Sequence, residues 1–197
     1  MKYNPLGWMI EVCRDAGIVA PAGIVNLELD IWLGPTIALV AEEELAAGAR
    51  EVGENNAGHW VDKYKRSLGY PGDYWCAWAT SWCVERAAQL CHVPMPVPPG
   101  PKHKNWRSAK RLSRGLVEAG GVIVPRTELP QRGDIPLYER GLDGDYKGHT
   151  SVVLGSQREE GLYDVCHFNL GRFPARVHVR TEALGDGTLR LIHCVRI

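Results

Sequence analysis

Cys76, His149 and Asn169 are the residues whose types and order could carry covalent chemistry. A thiol attacks a carbonyl as its thiolate, so a cysteine nucleophile needs a base to take its proton and a third group to fix the tautomer of that base. Cys76 lies in Asp73-Tyr74-Trp75-Cys76-Ala77-Trp78, just after Pro71-Gly72. Asp73 reads as an N-cap, which makes Tyr74, Trp75 and Cys76 the first helical positions, where backbone N–H groups without helical acceptors favour a negative sulfur. Along this helix Cys76, Ala79, Cys83, Ala87 and Leu90 share one face, while Trp75, Trp78 and Trp82 form a second. Such a helix is buried almost all round. His149 opens a predicted strand in Gly148-His149-Thr150-Ser151-Val152-Val153-Leu154, and Asn169 ends the next in Cys166-His167-Phe168-Asn169. If the two strands are antiparallel neighbours, Asn169 can reach the His149 ring.

The elements that must position these residues follow from hydrophobic period. Helical spacing predicts a short helix over residues 5–17, a second from a cap at Thr36 to about Val52, and a third from His59. In the third, Trp60, Val61, Tyr64 and Leu68 face inward and Lys63, Lys65 and Arg66 outward. Val93 to Lys104 is a proline-rich loop, and Asn105 caps a basic helix from Trp106 to Glu118. From Val122 the period falls to two. Strands are predicted near Asp134–Tyr138, Thr150–Leu154, Leu162–Phe168, Ala175–Arg180 and Leu189–Arg196. Helices followed by an antiparallel sheet of about five strands is an α+β layout.

Composition limits the partners. A chain of 197 residues with 45 % hydrophobic residues and seven tryptophans can bury one real core. Its 23 basic residues balance 23 acidic ones, which recommends neither nucleic acid nor an anionic membrane. Cys76, Cys83 and Cys91 cannot bridge one another along a helix, because seven residues already span about 10 Å. Cys166 and Cys194 could pair only if their strands were neighbours. Reduced, buried thiols in a protein made in the cytosol are the expectation. No signal peptide and no membrane span is read, and a monomer is expected. No histidine pair has helical metal-ligand spacing, so neither a metal nor another cofactor is expected. Asp143-Gly144-Asp145 reads as a tight turn rather than a calcium loop.

An ordered set of short motifs resembles one family. Gly53-Glu54-Asn55-Asn56-Ala57-Gly58, Trp60-Val61, Trp75-Cys76-Ala77 with Trp82, the Ser108-containing helix, Gly133-Asp134-Ile135, Gly148-His149 and the Asn169 region follow the order found in the papain-fold amidohydrolases and peptidases of the CHAP type, as in phage endolysins. The resemblance covers residues 46–197 and leaves 1–45 as an N-terminal helical extension. It implies a papain-like fold and a cysteine hydrolase of bacterial peptidoglycan, with Cys76 as nucleophile, His149 as base and Asn169 as the orienting residue. It places Asn55, Asn56 and Trp75 at the substrate cleft, and the basic helix could also touch anionic wall polymers. Such a protein would reach the wall after release or with the help of another protein. An interbacterial amidase toxin of the same chemistry, or a catalytically silent wall-binding or virion component, would suit the same residues.

Overall fold

The computed structural model describes residues 25–66, 68–70, 72–100, 104–139, 148–157, 159–184 and 190–197. The predicted helix over 5–17 and the turn at Asp143–Asp145 lie outside them. Helices α1 (Val25–Ala46), α2 (His59–Lys65), α3 (Cys76–Leu90) and α4 (Ala109–Glu118) precede strands β1 (Val122–Pro125), β2 (Ile135–Glu139), β3 (Gly148–Gln157), β4 (Leu162–Leu170), β5 (Arg176–Ala183) and β6 (Arg190–Arg196). The strands form one open antiparallel sheet in the order β1-β6-β2-β3-β4-β5. The architecture is α+β, with six strands rather than the five expected. The additional strand, β1, pairs Val122–Pro125 with His193–Arg196 at the sheet edge. It has four residues, of which only Val124 is buried, and it ends in proline, as suits a short edge strand.

α1 runs straight through Gly34-Pro35, where the sequence reads as a break. A proline inside a helix costs about 3 kcal/mol or more. Burial of Leu33, Ile37, Ala38, Val40 and Ala41 offsets it. Gly34 also meets Gly133, whose φ is 89°, so closely that a Cβ on Gly133 would stand 1.9 Å from the Gly34 carbonyl oxygen. The helix stops at Ala46, short of Val52, where Gly48 (φ 69°) takes the left-handed conformation and Ala49 N–H returns to Glu44 O at 3.2 Å. Beyond this turn the chain bonds along β5, with Val177 N–H donating to Ala49 O and Glu51 N–H to Ala175 O, both at 2.9 Å.

The helices lie on one face of the sheet. Val152, Cys166, Phe168, Val177 and Val195 join α1 and α3 residues in the main core. The Cys166 thiol, 3.7 Å from Ala41 O, marks that face. Residues alternate across a strand, so Ser151 and His167, paired beside Val152 and Cys166, point to the opposite face. There Val153, Tyr163 and Val165 make a second, smaller cluster. On that same face Tyr138 of β2 donates to Glu182 of β5 at 2.9 Å, although β3 and β4 lie between. Strands are about 4.8 Å apart in a flat sheet, so this contact requires the sheet to curl toward the face away from the helices.

One helix cap and one side-chain orientation differ here from expectation. Asn105 donates to Pro98 O, and the α4 cap is Ser108, which accepts from Arg111 N–H at 3.4 Å. Lys65 is buried rather than outward and donates to Asn56 O at 3.0 Å.

Candidate active site

Cys76 is the first residue of α3 and is 3 % exposed. Asp73 does not cap this helix. Its carboxylate accepts from Tyr70 N–H at 3.1 Å and from Arg107 at 2.9 Å. Trp75 stands at the cap position without capping the helix through its side chain, and the first helical bond runs from Ala79 N–H to Trp75 O at 2.8 Å. Cys76 is thus in the opening turn of a fifteen-residue helix, where the helix dipole favours a thiolate and backbone N–H groups can meet an oxyanion. α3 contacts β3 from the helix-bearing face of the sheet, while His149, the second residue of β3, turns its ring with Ser151 to the opposite face.

The His149 ring sits in a chain of buried polar groups. Its Nε2 lies 3.0 Å from Ser151 Oγ and 3.1 Å from His167 Nδ1. Ser151 Oγ lies 2.7 Å from His167 Nδ1, and His167 Nε2 lies 3.0 Å from Glu182 Oε1. Glu182 Oε2 accepts from Tyr138 and Tyr163 at 2.9 and 3.2 Å. All six side chains are buried.

The carboxylate sets the direction of every bond. Burial would raise the Glu182 pKa, but His167, Tyr138 and Tyr163 together hold it below the ordinary carboxylate range. Burial also lowers the His167 pKa, against the pull of Glu182. The two shifts make opposite demands on the His167 proton. A neutral ring satisfies both sides of the contact, because its Nε2–H and two phenols already supply three donors to the carboxylate. An ionised carboxylate only accepts, so the His167 proton is on Nε2 and its Nδ1 is an acceptor. Ser151 then donates to His167 Nδ1 and accepts from His149 Nε2–H. In this assignment His149 carries its proton on Nε2, which makes Nδ1 its basic nitrogen.

Asn169 is drawn elsewhere. The β4–β5 register shifts between His167 and Leu170, Asn169 takes φ 54°, and its amide donates to Asn56 Oδ1 at 2.9 Å. Asn56 is itself left-handed and buried, while Asn55 is exposed. Trp75 is fully buried, stacked 5.6 Å from Tyr64, and its indole donates to Glu51 Oε1 at 3.0 Å. Asn56 and Trp75 therefore support the site from within. The sequence reading missed Ser151, His167 and Glu182. For two of them the signal was present: Ser151 shares the face of His149 two residues along, and His167 pairs opposite Ser151. Glu182 belongs to no motif, lies past the predicted strand end at Arg180, and shares its face of β5 with the half-buried His178 and Arg180, so no sequence signal marked it.

The remaining described cysteines are packing residues. None of the five described cysteines is in a disulfide, and β4 and β6 are not neighbours, so Cys166 and Cys194 stay apart. Burial pushes the Cys166 thiol up to about 12 and raises those of Cys83 and Cys194. Beside α3 a cleft of about 410 Å³ is lined by Asp73, Tyr74, Lys104, Arg107, Ser108 and Arg111. A larger one, about 520 Å³, lies around Leu129 and Ser156 toward the other end of β3 from His149.

Among the described residues, no group of His, Cys, Asp and Glu is placed to hold a metal ion, and no helix is long and apolar enough to cross a membrane. No protein-family model, curated protein or solved structure matches the chain.

Proposed function

We propose that this protein is a cysteine-dependent peptidoglycan hydrolase that cleaves an amide bond through a thioester. The observation that carries the reading is the buried chain from His149 through Ser151 and His167 to Glu182, on the strand that α3 crosses with Cys76 at its start. An imidazole whose other nitrogen is held by Ser151 and His167, and through His167 by the Glu182 carboxylate, is oriented as the base of a thiol nucleophile needs to be. In this reading Cys76 gives its proton to His149 Nδ1, and the thiolate attacks the amide carbonyl carbon. Backbone N–H groups of the opening turn meet the oxyanion. As the C–N bond breaks, His149 returns the proton to the leaving amine. Water, deprotonated by His149, then attacks the thioester, the C–S bond breaks, and the acid product leaves the thiolate behind. The His149 ring lies on the sheet face away from the helices, so the first transfer requires the thiol and Nδ1 to come within hydrogen-bond reach past the first residues of β3, by movement of the ring or through a bridging water.

Digestion of purified cell walls tests this, with mass spectrometry of the released fragments identifying the bond. Cys76→Ser and His149→Ala are expected to lower the rate at least about 100-fold, and a Cys76→Ser protein clearing walls at the wild-type rate overturns the proposal.

The 3 % exposure of Cys76 favours a second reading, a catalytically silent wall-binding component. It requires Cys76 to react with iodoacetamide no faster than Cys83.

A further inference from the structure

We propose that the cleft beside the start of α3 is an anion subsite that holds a free carboxylate of a peptide substrate next to the scissile amide. This rests on the hydrolase reading for the word substrate, but the site itself stands on its own observations. Lys104, Arg107 and Arg111 face a single acidic residue, Asp73, in a cleft of about 410 Å³. Asp73 is already bonded to Arg107, whose guanidinium also lies 4.5 Å over the Tyr70 ring. Lys104 and Arg111 have no ion pair among the described residues. The cleft thus holds two positive charges more than it neutralises internally. The whole chain is neutral, so this excess is local and not a share of a basic surface.

Position and size narrow the occupant. Asp73 and Tyr74 are the third and second residues before Cys76, so whatever enters the cleft lies along the chain that leads into the nucleophile. Ser108, the cap of α4, turns the first turn of that helix toward the same space, and helix N-termini favour anions. Tyr74, 53 % exposed, gives an aromatic wall with a hydroxyl. The volume is at the small end of ligand pockets, enough for one or two residues of a peptide and not for a groove along a polyanion. An arginine fork matches a planar carboxylate in two parallel hydrogen bonds, with lysine adding a point charge.

The test uses Cys76→Ala protein, which binds without turnover, and two short stem-type peptides identical except that one ends in a free carboxylate and the other in an amide. Calorimetry is expected to give at least about fivefold tighter binding of the acid, a preference that weakens with added salt. Lys104→Ala and Arg111→Ala together should remove it. Both residues are exposed, so the fold is expected to survive, and an unchanged melting temperature verifies that. Equal affinity for acid and amide, or an acid preference that survives the double substitution, overturns the subsite. So does tighter binding of a polyphosphate than of the acid peptide. If the acid preference holds while Cys76→Ser leaves wall digestion intact, the hydrolase reading fails and the anion site stands. The reverse pattern removes the site and leaves the hydrolase.

Discussion

Trp75 Nε1 donates to Glu51 Oε1 across 3.0 Å, so the residue that leads into Cys76 is held by a carboxylate 24 positions earlier. The same carboxylate accepts from Asn56 N–H at 2.9 Å and, through Oε2, from Ala175 N–H at 2.8 Å. One buried side chain therefore ties the start of α3, the Asn56 turn and the entry to β5. Glu51→Ala leaves three buried donors without an acceptor, and a loss on the order of 3 kcal/mol follows. Urea unfolding measures it, and a change below about 0.5 kcal/mol contradicts the assignment.

His167 and Asn169 compete for the role of third residue, and their bonds separate them. His167 meets the His149 ring, while Asn169 bonds Asn56. His167→Ala is expected to lower kcat at least about tenfold with little change in KM. Asn169→Ala is expected to cost about 1 kcal/mol of stability and less than threefold in kcat. Steady-state kinetics beside denaturation curves decide it, and the reverse ranking would return the role to Asn169.

Acid should loosen the fold in two stages. The folded pKa of His167 is held below its ordinary 6.5 by burial, and that of Glu182 lies below 4.5. For both groups the unfolded chain takes up the proton first as pH falls, so the stabilisation is present above the ordinary pKa and lost below it. Urea midpoints should fall as pH drops from 6.5, and again below 4.5. His167→Gln, which can still donate to Glu182, should make the first fall shallower. Identical slopes for the two proteins would show that His167 does not contribute.

Thiol labelling should rank the cysteines. At pH 7 in the folded protein, iodoacetamide is expected to modify Cys76 well ahead of Cys83, Cys166 and Cys194, whose thiols burial keeps protonated. The fast phase should vanish in Cys76→Ala and slow in His149→Ala. A fast phase that His149→Ala leaves untouched would sever the coupling between sulfur and ring.

Gly133→Ala tests the contact between α1 and the sheet. The added methyl carbon would overlap the Gly34 backbone, and φ 89° is strained for alanine. A loss of about 2 kcal/mol or more is expected, read as a lower melting temperature. Gly155→Ala, where a Cβ meets nothing within 4 Å, is the control.

Most of the sheet was legible because β2 to β6 are apolar or β-branched runs bounded by glycine-containing turns, although β2, β3 and β4 are buried on both faces and do not alternate. β1 was not, since two of its first three residues are exposed valine and isoleucine and its fourth is proline. The course of α1 through Pro35 was hidden because a local breaker was overruled by burial on both sides of it and by the Gly34–Gly133 approach. Of the candidate residues, the placement of Cys76 at the start of α3 and of His149 near the start of β3 was readable from the sequence pattern. The choice between Asn169 and His167 was not, because it turns on a register shift and a left-handed residue at the end of β4, which alternation cannot foretell.

The curl of the sheet has a kinetic consequence. His167 is wholly buried and Glu182 nearly so, with Tyr138 and Tyr163 closing over the carboxylate. The hydrogen on His167 Nε2 has no route to water except through separation of the strands around it. Its exchange with deuterium is therefore a clock for opening of the sheet, and its ring N–H signal should outlast that of an exposed histidine such as His59.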